Sequence, residues 1–209
     1  MIDVISFTDE KDERLGVYFQ RSENNLSDYV ESLSNTCVLK RVSSDICTMF
    51  TVNQLMSSIN DKCICAVYTH GNPVAFMANG KSYINEENSK NFKDTFIYST
   101  ACLTAKSIGK ELINDGCLAF VGFDNESQVL CDPDSANVIM NCDHACLFAF
   151  LNDDISLKEA IKLAIAYYDA QIDKCSKNNN IILQSILIAN REALCVFGDE
   201  SLTRNDFNH

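Results

Sequence analysis

Cys63-Ile64-Cys65-Ala66-Val67-Tyr68-Thr69-His70-Gly71 and, further along, Phe96-Ile97-Tyr98-Ser99-Thr100-Ala101-Cys102 decide how this chain is read. Cys63 to Tyr68 is a nearly unbroken apolar run that stops abruptly at Thr69-His70-Gly71, and the second run ends at Ala101-Cys102. An apolar run without alternation suits a strand covered on both faces, as in a parallel sheet flanked by helices. Between the two runs, Val74-Ala75-Phe76-Met77 and Lys81-Ser82-Tyr83-Ile84 flank Ala78-Asn79-Gly80. An Asn-Gly pair tolerates the positive φ angles of a tight turn, so this segment predicts a β-hairpin.

Working outward, short apolar runs alternate with helical patterns. Val4-Ile5-Ser6-Phe7 reads as a strand, 26–33 as a helix capped by Asn24 or Asn25, 37–42 as a strand and 51–59 as a helix. After Cys102 the pattern predicts a helix starting near Thr104, with Ile108, Leu112 and Ile113 inward and Gly116 closing it. A strand over 117–123 follows, then a loop over 124–137 with Asp132-Pro133-Asp134 as a turn. Ser156-Leu157-Lys158-Glu159 is a capping box ahead of a stripe formed by Leu157, Ile161, Ala164, Tyr168 and Ile172. A helix over 180–190 and a strand over 193–197 complete the chain. The fold class expected is α/β, with a mostly parallel central sheet of about six strands flanked by helices, in a single domain over 1–209.

The chain has 209 residues, 46% of them hydrophobic and 22% charged, as in ordinary soluble globular proteins. Its net charge of −12 repels phosphate backbones, so no nucleic-acid partner is expected. The same charge also favours solubility. Met1-Ile2-Asp3-Val4 lacks the basic and apolar regions of a secretion signal, and no apolar stretch is long enough to span a membrane. Several of the 11 cysteines, such as Cys63, Cys65 and Cys195, sit inside apolar runs and read as core residues in a reducing, cytoplasmic setting. The glycines form no phosphate loop. Cys142-Asp143-His144-Ala145-Cys146 lacks a second ligand pair and reads as the start of a helix. Neither metal nor cofactor is therefore expected.

His70 and Cys102 stand at the carboxyl ends of two strands that the hairpin alone separates. Ligands bind at such ends in open parallel sheets. Consecutive strands usually neighbour one another, about 4.8 Å apart, so both side chains can meet above the sheet. An imidazole beside a thiol can take its proton and then return it to a leaving amine. The amides of Gly71 and Cys102 are the candidates for holding a developing oxyanion. A helix start just after Cys102 would lower the pKa of its thiol. Taken singly, Cys102 reads as a core cysteine and His70 as a loop histidine; their joint placement favours chemistry.

Tyr68-Thr69-His70-Gly71 followed by Tyr98-Ser99-Thr100-Ala101-Cys102 resembles the caspase-like clan of cysteine peptidases, which includes caspases, gingipains, clostripain-type peptidases, separase and the CHAT proteases. Gly116-Cys117-Leu118-Ala119-Phe120-Val121-Gly122 is similar to the next strand of the gingipain and CHAT branches, and Phe197-Gly198-Asp199-Glu200-Ser201-Leu202 to their closing motif, with Glu200 in place of proline. Leu103 follows the cysteine where caspases carry Arg or Gln, and Gly122-Phe123 stands where CHAT proteins often carry Leu-Trp. The resemblance covers roughly residues 60–202. It implies a three-layer caspase-like fold and a cysteine endopeptidase acting on protein or peptide substrates through His70 and Cys102, with a separate regulatory protein as a further partner. Basic-specific members use a pocket carboxylate near the cysteine. Asp124 is the candidate for that role here, against a plain turn-capping reading, and Thr100 stands two residues before Cys102, where clostripain-type enzymes often carry Asp. The competing readings are a non-catalytic caspase-like interaction module and an unrelated α/β binding protein.

Overall fold

A computed structural model describes residues 1–33, 36–152 and 154–208. Its central sheet has six strands in the order β2-β1-β3-β7-β8-β9, where β1 is Ile2–Thr8, β2 Cys37–Val42, β3 Cys63–Tyr68, β7 Thr95–Ser99, β8 Ala119–Phe123 and β9 Leu194–Gly198. All pair in parallel except β9, which runs antiparallel to β8. A second sheet of three short strands, β4 (His70–Asn72), β5 (Ala75–Ala78) and β6 (Lys81–Asn85), branches from the end of β3. Its turn has Asn79 at φ 50° and Gly80 at φ 69°, the conformation for which Asn-Gly is suited.

Strand alternation distributes the core on either side of the central sheet. Ile64, Ala66 and Tyr68 of β3 pack with α1 (Gly16–Ser32), α4 (Pro133–Asn152) and α5 (Leu157–Lys177). Cys63, Cys65 and Val67 face the other way, onto α2 (Met49–Ser58), α3 (Ile108–Asn114) and the small sheet. The result is three layers with β3 buried along its whole length. A last helix, α6 (Ile181–Ala193), packs on α4 and α5 through Leu183, Ile186 and Leu187.

Three expectations change. α1 begins at Gly16, well before 26, so Asn24 and Asn25 lie inside the helix and cap nothing. Its early turns are hard to read because their buried stripe includes Ser22 and Glu23. The Glu23 carboxylate is satisfied inside the protein by the Ser6 hydroxyl at 2.5 Å. The loop after β8 ends sooner than 137, because Pro133 opens α4 and the Asp132 side chain accepts the Ser135 amide at 2.9 Å. Proline suits the first helical position, where its missing N–H costs nothing. The third change concerns α3, which starts at Ile108 instead of near Thr104.

Candidate active site

The thiol comes from the central sheet. Beyond β7, the Thr100 amide and hydroxyl both donate to the Val67 carbonyl, at 3.1 and 3.3 Å. The Ala101 amide donates to the Ser99 hydroxyl at 3.0 Å. These bonds tie the exit of β7 to the end of β3. Leu103 then adopts φ 65°, with its amide donating to the Asn125 carbonyl at 3.1 Å. A left-handed conformation costs a bulky residue roughly 1–2 kcal/mol, and such strain concentrates at functional sites. It turns the chain sharply just after Cys102.

The imidazole comes from the small sheet. His70 opens β4, pairs with Met77 of β5 and is 40% exposed. Its Nε2 lies 3.1 Å from Oδ2 of Asp12, and Phe19 of α1 meets the ring edge to face, 5.4 Å between centroids. Asp12 follows β1, at the same carboxyl edge of the sheet. Its Oδ1 accepts the amides of Arg14 and Leu15 at 2.9 and 2.7 Å, leaving Oδ2 to the ring. Burial works to raise the Asp12 carboxyl, but the two amides and His70 outweigh it and hold the group below the usual carboxylate range.

Gly71 joins the two bodies. A Cβ there would lie 2.6 Å from the Cys102 carbonyl oxygen and 2.9 Å from the Ala101 Cβ. Only glycine lets β4 rest directly on the loop that carries the thiol. The neighbour that Gly71 makes room for is the Cys102 loop. His70 and Cys102 line one narrow cleft together with Phe19, Thr100, Ser127 and Asp143. Its volume of about 20 Å³ holds roughly one water. The thiol donates to the Ser127 carbonyl at 3.7 Å and not to the imidazole. The segment bearing Ser127 is itself clamped: buried Asn190 accepts the Gln128 amide at 2.8 Å and donates to its carbonyl at 3.0 Å.

No helix N-terminus supports the thiol. Residues 102–107 are turns, and burial pushes the Cys102 thiol up, with the charge of Glu126 adding to it. Its surroundings therefore favour the neutral thiol over the thiolate. Of the two amides suggested for an oxyanion, that of Cys102 donates to no backbone carbonyl among the described residues. Gly71 itself stands opposite Phe76 in the β4–β5 ladder.

Asp124 does not line the cleft. It is exposed just past β8, its amide donates to the Ala193 carbonyl at 2.9 Å, and its carboxylate lies beside the Cys195 thiol. The carboxylate that does line the cleft is Asp143 of α4. It is 4% exposed and accepts the hydroxyls of Tyr168 at 2.6 Å and Tyr18 at 3.0 Å. Burial raises its carboxyl to about 6 against the pull of the two hydroxyls. Its neighbour His144 is wholly buried between Tyr68 and Asn25, and burial pushes it down to about 3, so it stays neutral. Among the described residues no group of side chains could hold a metal ion.

Asp12 and Asp143 are the site residues that sequence reasoning missed. Asp143 lies on the buried side of α4 between Cys142 and His144, where only its partners Tyr18 and Tyr168, distant in sequence, mark it out. Asp12 sits in the acidic run Asp9-Glu10-Lys11-Asp12-Glu13, where nothing distinguishes one carboxylate from the next.

No protein-family model matches the chain, and no curated protein matches it either. Solved structures do. One is the Arg-specific cysteine proteinase gingipain R (RgpB), at TM-score 0.64 and 13% identity over 96% of this chain and 47% of that one. Another is the complex of Porphyromonas gingivalis RgpB pro- and mature domains, at TM-score 0.63 and 12% identity over 96% of this chain and 48% of that one. The fold is that of the caspase-like, gingipain type. The chain spans about half the length of the solved chains it matches.

Proposed function

We propose that the protein is a cysteine peptidase in which Cys102 is the nucleophile, His70 its general base and then the acid that protonates the leaving amine, and Asp12 the residue that orients the ring. The observation that carries this reading is the Gly71 contact, which seats the histidine strand on the cysteine loop so that both side chains enter one cleft. The Cys102 and Gly71 amides are the oxyanion donors in this reading. A thiol raised by burial and an imidazole partnered by a carboxylate suit proton transfer on demand, in place of a standing thiolate. Asp143, as the buried carboxylate of the cleft, favours a basic residue before the scissile bond, the role first considered for Asp124. The likeness to an Arg-specific proteinase is consistent with that preference. The partner is a protein or peptide substrate. Among the described residues no helix is long and apolar enough to cross a membrane.

Two observations favour a second reading, an interaction module that does not cleave. The thiol is bonded to Ser127, and the cleft admits little more than one water. Incubation with a pool of denatured proteins, with cut sites read by mass spectrometry, separates the two. The peptidase reading predicts cuts after Arg or Lys that vanish in Cys102→Ala and lose their basic preference in Asp143→Asn. An absence of Cys102-dependent cuts would leave only the binding module.

A further inference from the structure

We propose that the recess on the outer face of the small sheet receives the substrate segment on the carboxyl side of the scissile bond, and that this segment carries a Lys or Arg. This rests on the peptidase reading above. His70 stands opposite Met77, and Asn72 opposite Ala75, in the β4–β5 ladder. Alternate residues of a strand, and the residues directly across from them, share a face. The same face continues onto β6 across a bulge between Phe76 and Met77, where Ser82 lies opposite Met77 and Asn85 opposite Ala75, all four lining one recess. The opposite face carries Phe76 and Ile84, both fully buried in the core. The face bearing His70 therefore looks outward.

A recess of about 480 Å³ lies on it, walled by Val74, Met77 and Ile108 and lined as well by Glu86, Glu87 and Glu111. Its size falls within the range of ligand pockets, about 300–1,000 Å³. Among the described residues none of the three carboxylates is in an ion pair.

The chemistry says which end of the substrate lies here. The imidazole has to reach the leaving nitrogen, so the chain beyond that nitrogen departs on the His70 side, away from the thiol. An extended peptide advances about 3.3 Å per residue. Asn72, a lining residue of the recess, stands two positions along β4 from His70. The second or third residue after the scissile bond therefore falls on the recess. Apolar walls with unpaired carboxylates suit a long aliphatic stem ending in a cation. A chain of net charge −12 adds long-range attraction for such a segment.

The test uses fluorescent peptides cleaved by the wild-type protein, identical except for Lys, Ala or Glu at the second and third positions after the scissile bond. The Lys peptide should show a kcat/KM about 10-fold above the Glu peptide at low salt, as expected for a few exposed ion pairs. In the triple variant Glu86→Gln, Glu87→Gln, Glu111→Gln the ratio of the Lys peptide to the Glu peptide should fall to near one. Binding of the same peptides to Cys102→Ala, read by fluorescence anisotropy, gives the selectivity without turnover and should follow the same order. Cleavage that depends on Cys102 but ignores this charge would overturn the inference while leaving the peptidase reading intact. Charge-selective binding without any cleavage by wild type would overturn both, since the recess would then serve no leaving segment.

Discussion

The six-stranded sheet and the three-stranded sheet each supply one member of the candidate pair, and they hold it in opposite ways. Cys102 leaves a strand that is buried throughout, its approach is tied to β3 by Thr100, and Leu103 behind it is strained. His70 opens an edge strand of three residues, is 40% exposed, and is steadied by Asp12 and Phe19. In the proposed mechanism the larger body holds the attacking group at a fixed point, and the lighter body holds the group that moves a proton from sulfur to nitrogen. Their only covalent links are the Thr69 corner and the turn segments leading into β7, so their relative placement depends on packing, above all at Gly71.

Breaking that joint should have the largest effect. Gly71→Val places carbon where the Cys102 carbonyl and the Thr104 methyl already stand, at 2.6 Å in each case. Overpacking of this kind costs about 1–3 kcal/mol, and a displacement near 1 Å at a reactive pair costs about 100-fold in rate. A drop of at least that size in kcat/KM, with a melting temperature only modestly lower, is the expected outcome of paired kinetic and thermal measurements.

Asp12→Asn should act on the lighter body alone. It keeps the shape but removes the charge facing His70, so kcat should fall about 10-fold with KM unchanged, as for a positioning residue. The same variant has a stability signature. The folded Asp12 carboxyl lies below its unfolded value of about 3.9, so its contribution is complete above that pH and is lost as pH falls through the folded value. The difference in unfolding free energy between wild type and Asp12→Asn should therefore shrink below about pH 4 in acid titrations.

Asp143 titrates with the opposite sign. Its folded carboxyl is raised to about 6, so the group favours the fold below its unfolded value and costs stability as pH rises from about 4 through about 6. Wild type should lose on the order of 1–3 kcal/mol relative to Asp143→Asn across that interval, measured by urea denaturation. The smallest effect expected is that of Asn190→Ala, which leaves the Gln128 amide and carbonyl without their partners at a cost of about 1–2 kcal/mol.

The two bodies also differ in what could be read from the sequence. β3, β7 and the Asn79-Gly80 hairpin were legible because burial on both faces and a tight turn each leave an unmistakable local pattern. Of the site, His70 and Cys102 were legible as residues at strand ends, and the structure brings both to one cleft. Asp12 was not, because its role depends on which carboxylate of an acidic run β1 delivers to the ring. Asp143 was passed over because a long-range pairing with Tyr18 and Tyr168 leaves no local spacing to detect. The helix expected at Thr104 failed because Leu103 takes a left-handed turn, which a leucine does not announce.

The central claim is that the imidazole of one body activates the thiol of the other. It is tested most directly by the rate at which iodoacetamide modifies Cys102 at pH 7, read by mass spectrometry in wild type and His70→Ala, with exposed Cys131 as the internal reference. Cys102 should react faster than Cys131 in wild type, although it is less exposed, and at least 10-fold more slowly once His70 is removed, while Cys131 is unaffected. A Cys102 that reacts more slowly than Cys131, and equally so in both proteins, would contradict the account.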